Sequence, residues 1–588
     1  MKDEEIKKEL EKFRDPYGFW LEEHEKWRGD ESPKKQQDRF LSEYILQIPD
    51  GTVNDPDMIS RFARYASRGD FDLIYCDEDI IRDGKRTDPY FKPDYSPDTE
   101  ESFDYIGGLR AYGRSYLERA EEGNTALRGD RVCHIPEVLC HYLAERDMEY
   151  PKEKNGGADM FVDRFDESVS VIILSKDHPD LVRTCLESLT GSGLPDKTEL
   201  ILIDNGSREH NRDRYERIAE EFHVRYCYEP MEFNYSRLCN LGAQIAAGRY
   251  LLFLNDDIEV PEEASGFVMR LCRKAAGPDI GAVGIRLRYP ETDRIQHCGI
   301  TILKTGPSHK LCGYDDSVSY EHGINRHDIN VAAVTGACLC IRADLFRETG
   351  GFDNNLPLAY NDVDLCLRLL ERGYYNVCMN SMYLYHHESA TRADDRTDLP
   401  AYERLKEYRA YFEDRHQQLL EEGDPFYSPN LTKTGLDYKV DVSFRWEKSG
   451  VERKPLKKVR EAGKSRNILS HADSVVYRLN DAYGNEDFFE FTGWILKGKK
   501  RASGYGVGAL AVCGDKRLVF SGERVYRKDV ADAFPEEKDA CMAGVCVRIA
   551  RQEFEAMGMT GICEMYPVLI EKNGKIHKGE EGCQIRIE

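Results

Sequence analysis

The chain has 588 residues, room for three or four domains at roughly 150 residues each. Its 107 acidic against 83 basic residues leave a formal charge of -24, which excludes a general nucleic-acid binder and suits a soluble protein kept apart by like charge. The opening MKDEEIKKELEKF lacks the apolar core of a signal peptide, and no stretch approaches the roughly 20 apolar residues that span a bilayer, so a cytoplasmic location is the expectation. The 18 cysteines are scattered among apolar neighbours without a CxxC pair, which favours buried reduced thiols over a zinc site or a disulfide framework.

The first 165 residues open with helical, charge-rich sequence and then give FDLIYCDEDI, a strand running into Asp77, Glu78 and Asp79. From Val169 the pattern is an alternating α/β unit. VSVIIL reads as a buried strand, LVRTCLESL as an amphipathic helix and ELILIDNGS as a second strand ending in a polar turn. A helix over Arg212 to Phe222, a short strand VRYCYE, a helix over Ser236 to Ala247 and the strand RYLLFL follow. Strands separated by helices imply a parallel sheet with right-handed crossovers, and ligands of such sheets bind at the carboxyl ends of the strands. SKD, DNGS and NDD all fall there. GAVGIRLRY, INVAAVTGACLCIR and YYNVCMNSMYLYHH are strands joined by longer loops, so the second half of the sheet is expected to be mixed, and the charged helix LPAYERLKEYRAYFEDRHQQLLEE closes the region.

Residues 431–473 turn polar and basic, with Lys448, Arg453, Lys454, Lys457, Lys458, Arg460, Lys464 and Arg466 close together. They read as a linker, either a solvated connector or a patch for peripheral contact with anionic lipid. Beyond it, FFEFTGWILKG, YGVGALAVCG, KRLVFSG, AGVCVRIA and GICEMYPVLIEKNGKIHKG are short strands punctuated by glycine and Asn-Gly turns, the pattern of a β-sandwich. Trp494 there is either a core residue or a platform for sugar.

LLFLNDDIEV delivers Asp256 and Asp257 to a strand end. Two such carboxylates suit Mg2+ or Mn2+, which take one or two oxygen ligands from protein and others from substrate phosphates, although a polar strand exit has the same appearance. Asp204 ends a neighbouring strand, Asp362 and Asp364 head an amphipathic helix, and His386 and His387 leave another strand. Each is ordinary alone.

Taken in order, VSVIILSKDHPDLVRTCLESL, ELILIDNGS, FNYSRLCNLGAQIAAGRYLLFLNDDIEV, GAVGIRLRYPETDRIQHCGITI, TGACLCIRADLFRETGGFDNNLPLAYNDVDLCLRLLERGY and YHHESATR resemble the successive motifs of family 2 inverting glycosyltransferases, from about Ser168 to Thr391. The resemblance implies an α/β catalytic domain of GT-A fold, Rossmann-like and built for nucleotide-diphospho-sugars, over residues 166–430. It assigns Asp204 to the nucleoside, with Ser175 and Asp177 as neighbours. Asn255, Asp256 and Asp257 match the DxD motif with Asn255 replacing its first acid, which makes Asp257 the metal ligand and Asn255 and Asp256 nucleotide-sugar contacts. Asp362 matches the catalytic base, although Asn361 stands where a Glu is usual. His386 matches the histidine that completes the metal or diphosphate site, with His387 as the alternative by one register step. Gly336, in TGAC, lies where the family passes backbone close to the donor sugar.

YCDEDIIRDGKRTDPYFKPDYSPDTEESFDYIGG resembles the middle of a glycosyltransferase domain and VCHIPEVLCHYL the strand that ends one, without counterparts of DNGS, NDD or YNDVDL. Residues 1–165 therefore read as a truncated, degenerate and inactive GT-A-like region, with Asp77, Glu78 and Asp79 structural or surface. Residues 474–588 read as an accessory β-sandwich-like domain. The function implied is inverting, metal-dependent transfer from a UDP- or dTDP-sugar, rhamnose or a hexose, to a glycan or lipid-linked glycan in cell-surface polysaccharide biosynthesis, in the cytoplasm or at the inner face of the plasma membrane. A nucleotidyltransferase would need a glycine-rich phosphate loop, and SKDHPDLV has no glycine. The other class left open is a non-catalytic glycan-binding scaffold that retains the fold.

Overall fold

The computed structural model describes residues 32–121, 129–143, 166–387 except 291, 304 and 305, 399–432 and 438–441, then 468–478, 488–498, 505–525 except 515, 543–550 and 561–587 except 572–574 and 581, with scattered positions elsewhere. Trp27–Asp441 form one compact unit, and Val442–Glu588 with Met1–Lys26 another.

In the first unit the strands are β1 (Tyr44–Gln47), β2 (Thr52–Asn54), β3 (Leu73–Arg82), β4 (Lys85–Tyr90), β5 (Arg110–Gly113), β6 (Val132–Leu143), β7 (Val169–Ser175), β8 (Thr198–Asp204), β9 (Arg225–Tyr228), β10 (Tyr250–Asn255), β11 (Ile258–Glu259), β12 (Ile280–Arg288), β13 (Ile295–His297), β14 (Ile300–Leu303), β15 (Gly306–His309), β16 (Ile329–Val331), β17 (Cys338–Arg342) and β18 (Tyr375–His386). The larger sheet runs β11-β18-β12-β17-β10-β7-β8-β9, with β13 on β12 and β16 on β18. β10, β7, β8 and β9 are parallel, while β17 runs antiparallel between β10 and β12, so the sheet is mixed as expected.

VSVIIL and its neighbours are continuous apolar runs because both sides of the sheet are covered. Ile172, Ile201, Ile203, Leu251 and Phe253 pack on one face with Leu238, Phe352 and Leu365. Val171, Ile173, Leu202, Leu252 and Leu254 alternate to the other, against Val182, Leu186, Tyr215 and Phe267. The registers Ser175↔Asp204, Asp204↔Tyr228 and Asn255↔Leu174 bring the carboxyl ends of β7, β8, β9 and β10 level, so their exit residues share one edge.

The smaller sheet, β1-β5-β3-β6-β2 with β4 on β3, repeats part of the larger one. β1 is antiparallel to β5, β5 to β3, β3 parallel to β6, and β2 antiparallel to β6. The run β10-β17-β12-β18-β11 has the same directions, with β13 on β12 as β4 is on β3. Helices Met58–Ala66 and Arg114–Glu121 fall where Phe267–Ala275 and Ala343–Thr349 do in chain order. Equivalents of β7, β8 and β9 are absent from this sheet among the described residues.

FDLIYCDEDI is thus the topological partner of β12, not of the strand that carries NDD. Its acids lie within β3, all at most 2% exposed. Asp77 meets His134 Nε2 at 2.8 Å, Glu78 meets Lys92 Nζ at 3.1 Å, and Asp79 meets Arg86 Nε and His141 Nδ1 at 2.6 Å each. Of the structural and surface alternatives, the structural one holds. Buried carboxylates must be paired, and here internal cations and imidazoles do it.

The second unit carries β19 (Ile468–Arg478), β20 (Phe488–Lys497), β21 (Gly506–Cys513), β22 (Lys516–Ser521), β23 (Glu523–Val525), β24 (Gly544–Ala550), β25 (Gly561–Ile570), β26 (Ile576–Lys578) and β27 (Cys583–Ile587). They form sheets β19-β20-β24-β23 and β22-β21-β25-β26, with β27 on β25. Phe491, Ile495, Ala509, Ala511, Val547 and Met565 fill the space between them, as in a β-sandwich. Trp494 is partly buried and packs with Phe534 against Leu496 and Val530. The basic run Lys448 to Arg466 lies outside the described residues.

Candidate functional site

The site grows from the edge where β7, β8 and β10 end. β10 stops at Asn255, and two residues later β11 pairs antiparallel with the end of β18 in the register Ile258↔His386. That pairing holds Asp257 next to His386: Asp257 Oδ1 is 3.1 Å from His386 Nε2, and Asp257 O accepts the His387 backbone N–H at 3.0 Å. The His387 ring goes elsewhere, to Glu259 Oε2 at 2.8 Å. Of the two histidines, the structure brings His386 to the acid.

The protons around His386 follow from its partners. Its Nδ1 lies 2.7 Å from Gln296 Oε1, an acceptor, and its Nε2 lies 3.2 Å from the Asn255 amide nitrogen, a donor. A neutral ring so held has its proton on Nδ1, and its Nε2, which accepts from Asn255, lies beside Asp257 Oδ1. The 3.1 Å approach lacks hydrogen-bond geometry, and Asp257 Oδ1 is a buried oxygen with no hydrogen-bond partner among the described residues. A carboxylate oxygen so placed, next to a nitrogen without a proton, suits a cation. The separation is that of adjacent ligands about an octahedral ion with bonds of about 2.1 Å. Burial pushes the Asp257 carboxyl up, but the neighbouring imidazole more than offsets this and holds it below the ordinary range.

Gln296 sits on a β-bulge. β13 pairs Leu287↔His297 and then Arg288↔Ile295, leaving Gln296 as the extra residue whose side chain is re-aimed toward His386.

Asp256 turns the other way. Its Oδ2 accepts from the Ser175 hydroxyl, which also meets Tyr215 Oη at 2.7 Å. Burial, with the Asp257 charge beside it, pushes the Asp256 carboxyl up to about 7. Asp204 is fully buried: its Oδ1 accepts from the Ser207 N–H and hydroxyl at 2.9 and 2.6 Å, and its Oδ2 accepts from Tyr226 Oη at 2.6 Å. Asp177 adopts φ 59° and caps the next loop, accepting from Arg208 N and Asn211 Nδ2 at 2.9 Å each. These hydrogen bonds hold its carboxyl below the ordinary range, Asn211 contributing most.

The third group lies on the helix Asn361–Leu370. Tyr360 enters it at φ 64°, and partly exposed Asp362 accepts from Gly336 N at 2.8 Å through Oδ2. Gly336 O accepts from Tyr235 Oη at 2.8 Å, and a Cβ at Gly336 would stand 3.0 Å from that hydroxyl. One residue on, Ala337 O accepts from Asn255 N at 3.0 Å, which ties the TGAC segment to the NDD turn. Asp364 is not part of this edge; it is buried with Arg368 at 2.8 Å and His416 at 3.0 Å.

The predicted residues therefore form three linked groups: Asn255, Asp257 and His386; Ser175 and Asp256, with Asp177 and Asp204 joined through Ser207; and Gly336 with Asp362. Sequence reasoning missed Gln296, Tyr215, Tyr226 and Ser207. Gln296 stood in the quoted RIQHCGI, but only strand register shows its bulge. Among the described residues no cluster of three or more His, Cys, Asp or Glu side chains could hold a metal, so a cation here would rely on two protein ligands and on substrate oxygens.

Residues 170–350 match the family model for glycosyl transferase family 2. This stretch is a family 2 glycosyl transferase domain. The match covers the NDD turn and TGAC but ends before Asp362 and His386, which the sheet itself brings to the family 2 motifs. Over 421 residues the chain is 31% identical to the O-antigen biosynthesis protein RfbC of Myxococcus xanthus, covering 62% of this chain and 32% of that protein. Over 87 residues it is 33% identical to the N-acetylglucosaminyl-diphospho-decaprenol L-rhamnosyltransferase of Mycobacterium tuberculosis, covering 15% and 28%. The chain thus spans about a third or less of the length of these curated relatives. A solved mannosyltransferase, PcManGT from Pyrobaculum calidifontis, overlaps 42% of this chain and 64% of its own at 15% identity, with a TM-score of 0.32, a superposition too loose to inform the site.

Proposed function

We propose that the family 2 domain moves a sugar, with inversion, from a nucleotide-sugar donor to a hydroxyl of a glycan acceptor in cell-surface polysaccharide synthesis. The observation that carries this is the facing pair Asp257 Oδ1 and His386 Nε2, one strand crossing from the Ser175–Asp256 pair and tied through Gly336 and Ala337 to Asp362. Asp257 and His386 are the residues that would hold Mg2+ or Mn2+, which when bound offsets the negative charge that develops on the departing diphosphate.

The chain's own residues do the rest. Ser175, Asp177, Asp204 and Asp256 shape the edge on which the nucleoside and ribose rest. Gly336 is the backbone contact to the donor sugar in this reading, and its missing Cβ makes room for the Tyr235 hydroxyl behind it. Asp362 takes the proton of the acceptor hydroxyl; the new bond forms from that oxygen to the anomeric carbon while the bond to the diphosphate oxygen breaks on the opposite face. Asn255 and Asn361, which made a glycan-binding scaffold the rival, have structural work here: Asn255 supports His386, and Asn361 Oδ1 accepts from the Asp362 N–H at 2.8 Å.

The relatives' names, O-antigen biosynthesis and rhamnosyl transfer to an N-acetylglucosaminyl-diphospho-decaprenol, support a glycan or lipid-linked acceptor; a UDP- or dTDP-sugar donor and work at the inner face of the membrane belong to our reading. Among the described residues no helix is long and apolar enough to cross one. Residues 1–165, with the half-sheet that lacks the strands of the nucleotide edge, we read as an inactive relative of the catalytic domain.

Calorimetry with a panel of nucleoside diphosphates, with and without Mn2+, tests the donor site, and mass-detected transfer tests the reaction. Asp362→Asn is expected to keep donor affinity and lose roughly 10² to 10⁴ of the rate. Unchanged turnover in that variant, or no metal-assisted binding of any nucleotide by the wild type, sinks the proposal.

A further inference from the structure

The helix that carries Asp362 is gripped on its far side by a histidine. The charged run LPAYERLKEYRAYFEDRHQQLLEE forms the helices Leu399–Arg415 and Gln417–Glu422, and His416 stands between them, 1% exposed. Its Nε2 lies 3.0 Å from Asp364 Oδ1 and its Nδ1 lies 2.8 Å from Glu371 Oε1. Those acids are seven residues apart, two turns along one face, so a single ring ties the first turn of Asn361–Leu370 to the residue just past its end. Ionised carboxylates only accept, and a ring protonated on both nitrogens serves the two together.

The same stretch makes two further contacts. Phe412 stacks on Tyr360, which enters the helix at φ 64°, with ring centroids 5.1 Å apart. Tyr411 Oη donates to Asp353 Oδ2 at 2.8 Å, and Arg415 Nη1 pairs with the same oxygen. Four residues beyond Asp353, Pro357 O accepts from Tyr235 N at 2.8 Å, and the Tyr235 hydroxyl holds Gly336. The bond from Gly336 N to Asp362 is therefore braced on the side of each partner. At about 100° per residue, Asp362 lies about 200° round the helix from Asp364, so His416 acts on it through the helix and not by contact. Buried charged clusters contribute little net stability beyond what apolar packing would give, whereas directional bonds at both ends of a helix fix its rotation and tilt.

We infer that His416 is a positioning residue for the acceptor base: by clipping Asp364 to Glu371 it fixes the rotation of the helix, and with it the Asp362 carboxylate beside Gly336. The inference rests on the glycosyl-transfer reading, in which Asp362 takes the proton of the acceptor.

Turnover of a panel of UDP- and dTDP-sugars by the full chain, together with titration of UDP and dTDP in the presence of Mn2+, tests it. His416→Phe fills the same space against Phe412, 5.0 Å away, and leaves Asp364 its bond to Arg368, so it should melt cooperatively. Its kcat is expected to fall roughly ten- to a hundredfold, the cost of a small misplacement of a reacting group, with the nucleotide Kd unchanged. In an Asp362→Asn background the same substitution should cost nothing further, because the group it positions is gone. A wild-type kcat in His416→Phe, or an equal loss in both backgrounds, overturns the inference and leaves the transferase reading intact. Full activity of Asp362→Asn, or no turnover by the wild type, overturns both. Should His416→Phe fail to melt cooperatively, Glu371→Gln, at the exposed outer acid, runs through the same cycle: a loss of roughly twofold or more that vanishes with Asp362→Asn supports the inference, and any other result overturns it.

Discussion

Asp256 and Asp257 are adjacent in the chain and opposite in chemistry. One faces a hydroxyl in a dry pocket and is pushed up to about 7; the other faces an imidazole and stays ionised. A carboxyl whose pKa rises on folding contributes stability that fades as pH climbs from its unfolded value near 4 toward 7. In metal-free buffer at pH 8, Asp256→Asn should therefore raise stability by an amount on the order of a few kcal/mol and show little difference near pH 4, as read by chemical denaturation at both pH values. Asp257→Asn is expected to abolish Mn2+ binding by calorimetry without that gain. The identity of both acids was legible because an apolar run collapsed onto them, whereas their different environments were not, since these depend on which loop returns to face each one.

At the level of elements, the strands and helices of the α/β half were readable because their periodicities are strong: VSVIIL cannot be anything but buried, and LVRTCLESL has one apolar stripe. Register was not readable. The single displaced residue Gln296 decides which way a side chain points, and nothing in RIQHCGI distinguishes a bulge from a regular strand. Gln296 holds His386 in the tautomer with a lone pair on Nε2, so Gln296→Ala should weaken Mn2+ affinity by about 10- to 100-fold while Asp257 remains in place. A calorimetric Kd unchanged from wild type would refute this role. FDLIYCDEDI misled for the same reason: a strand carrying acids has the same composition whether they leave its end or, as in β3, lie inside it against Lys92, Arg86, His134 and His141.

At the scale of the molecule, those buried pairs tie the half-sheet's stability to pH. Burial lowers the His134 pKa, but Asp77 and Asp94 more than offset it and raise it to about 9. A histidine raised on folding stabilises fully below its unfolded value near 6.5 and loses that contribution as pH rises through 9, worth up to about 3 kcal/mol. Thermal melts of the whole chain should fall between pH 6.5 and 9.5, and His134→Gln should flatten that slope; parallel slopes would show the pair carries no such load. The duplicated topology behind this could be glimpsed in the sequence as a likeness to the middle and end of a transferase domain, but the strand-for-strand match depends on pairings between segments up to about 90 residues apart.

The half-sheet fills the corner that the larger sheet keeps for His386. Where β11 meets His386, the first residue of β2 meets Tyr142, and that tyrosine's hydroxyl and Pro49 crowd the glycine at position 108 so closely that a Cβ there would be 2.7 Å from each. The turn that carries NDD in one copy is IPDG in the other, and the space beside it has been filled. A histidine placed at position 142 would therefore leave this corner filled from its other side, because Pro49 crowds Gly108 as closely as the Tyr142 hydroxyl does.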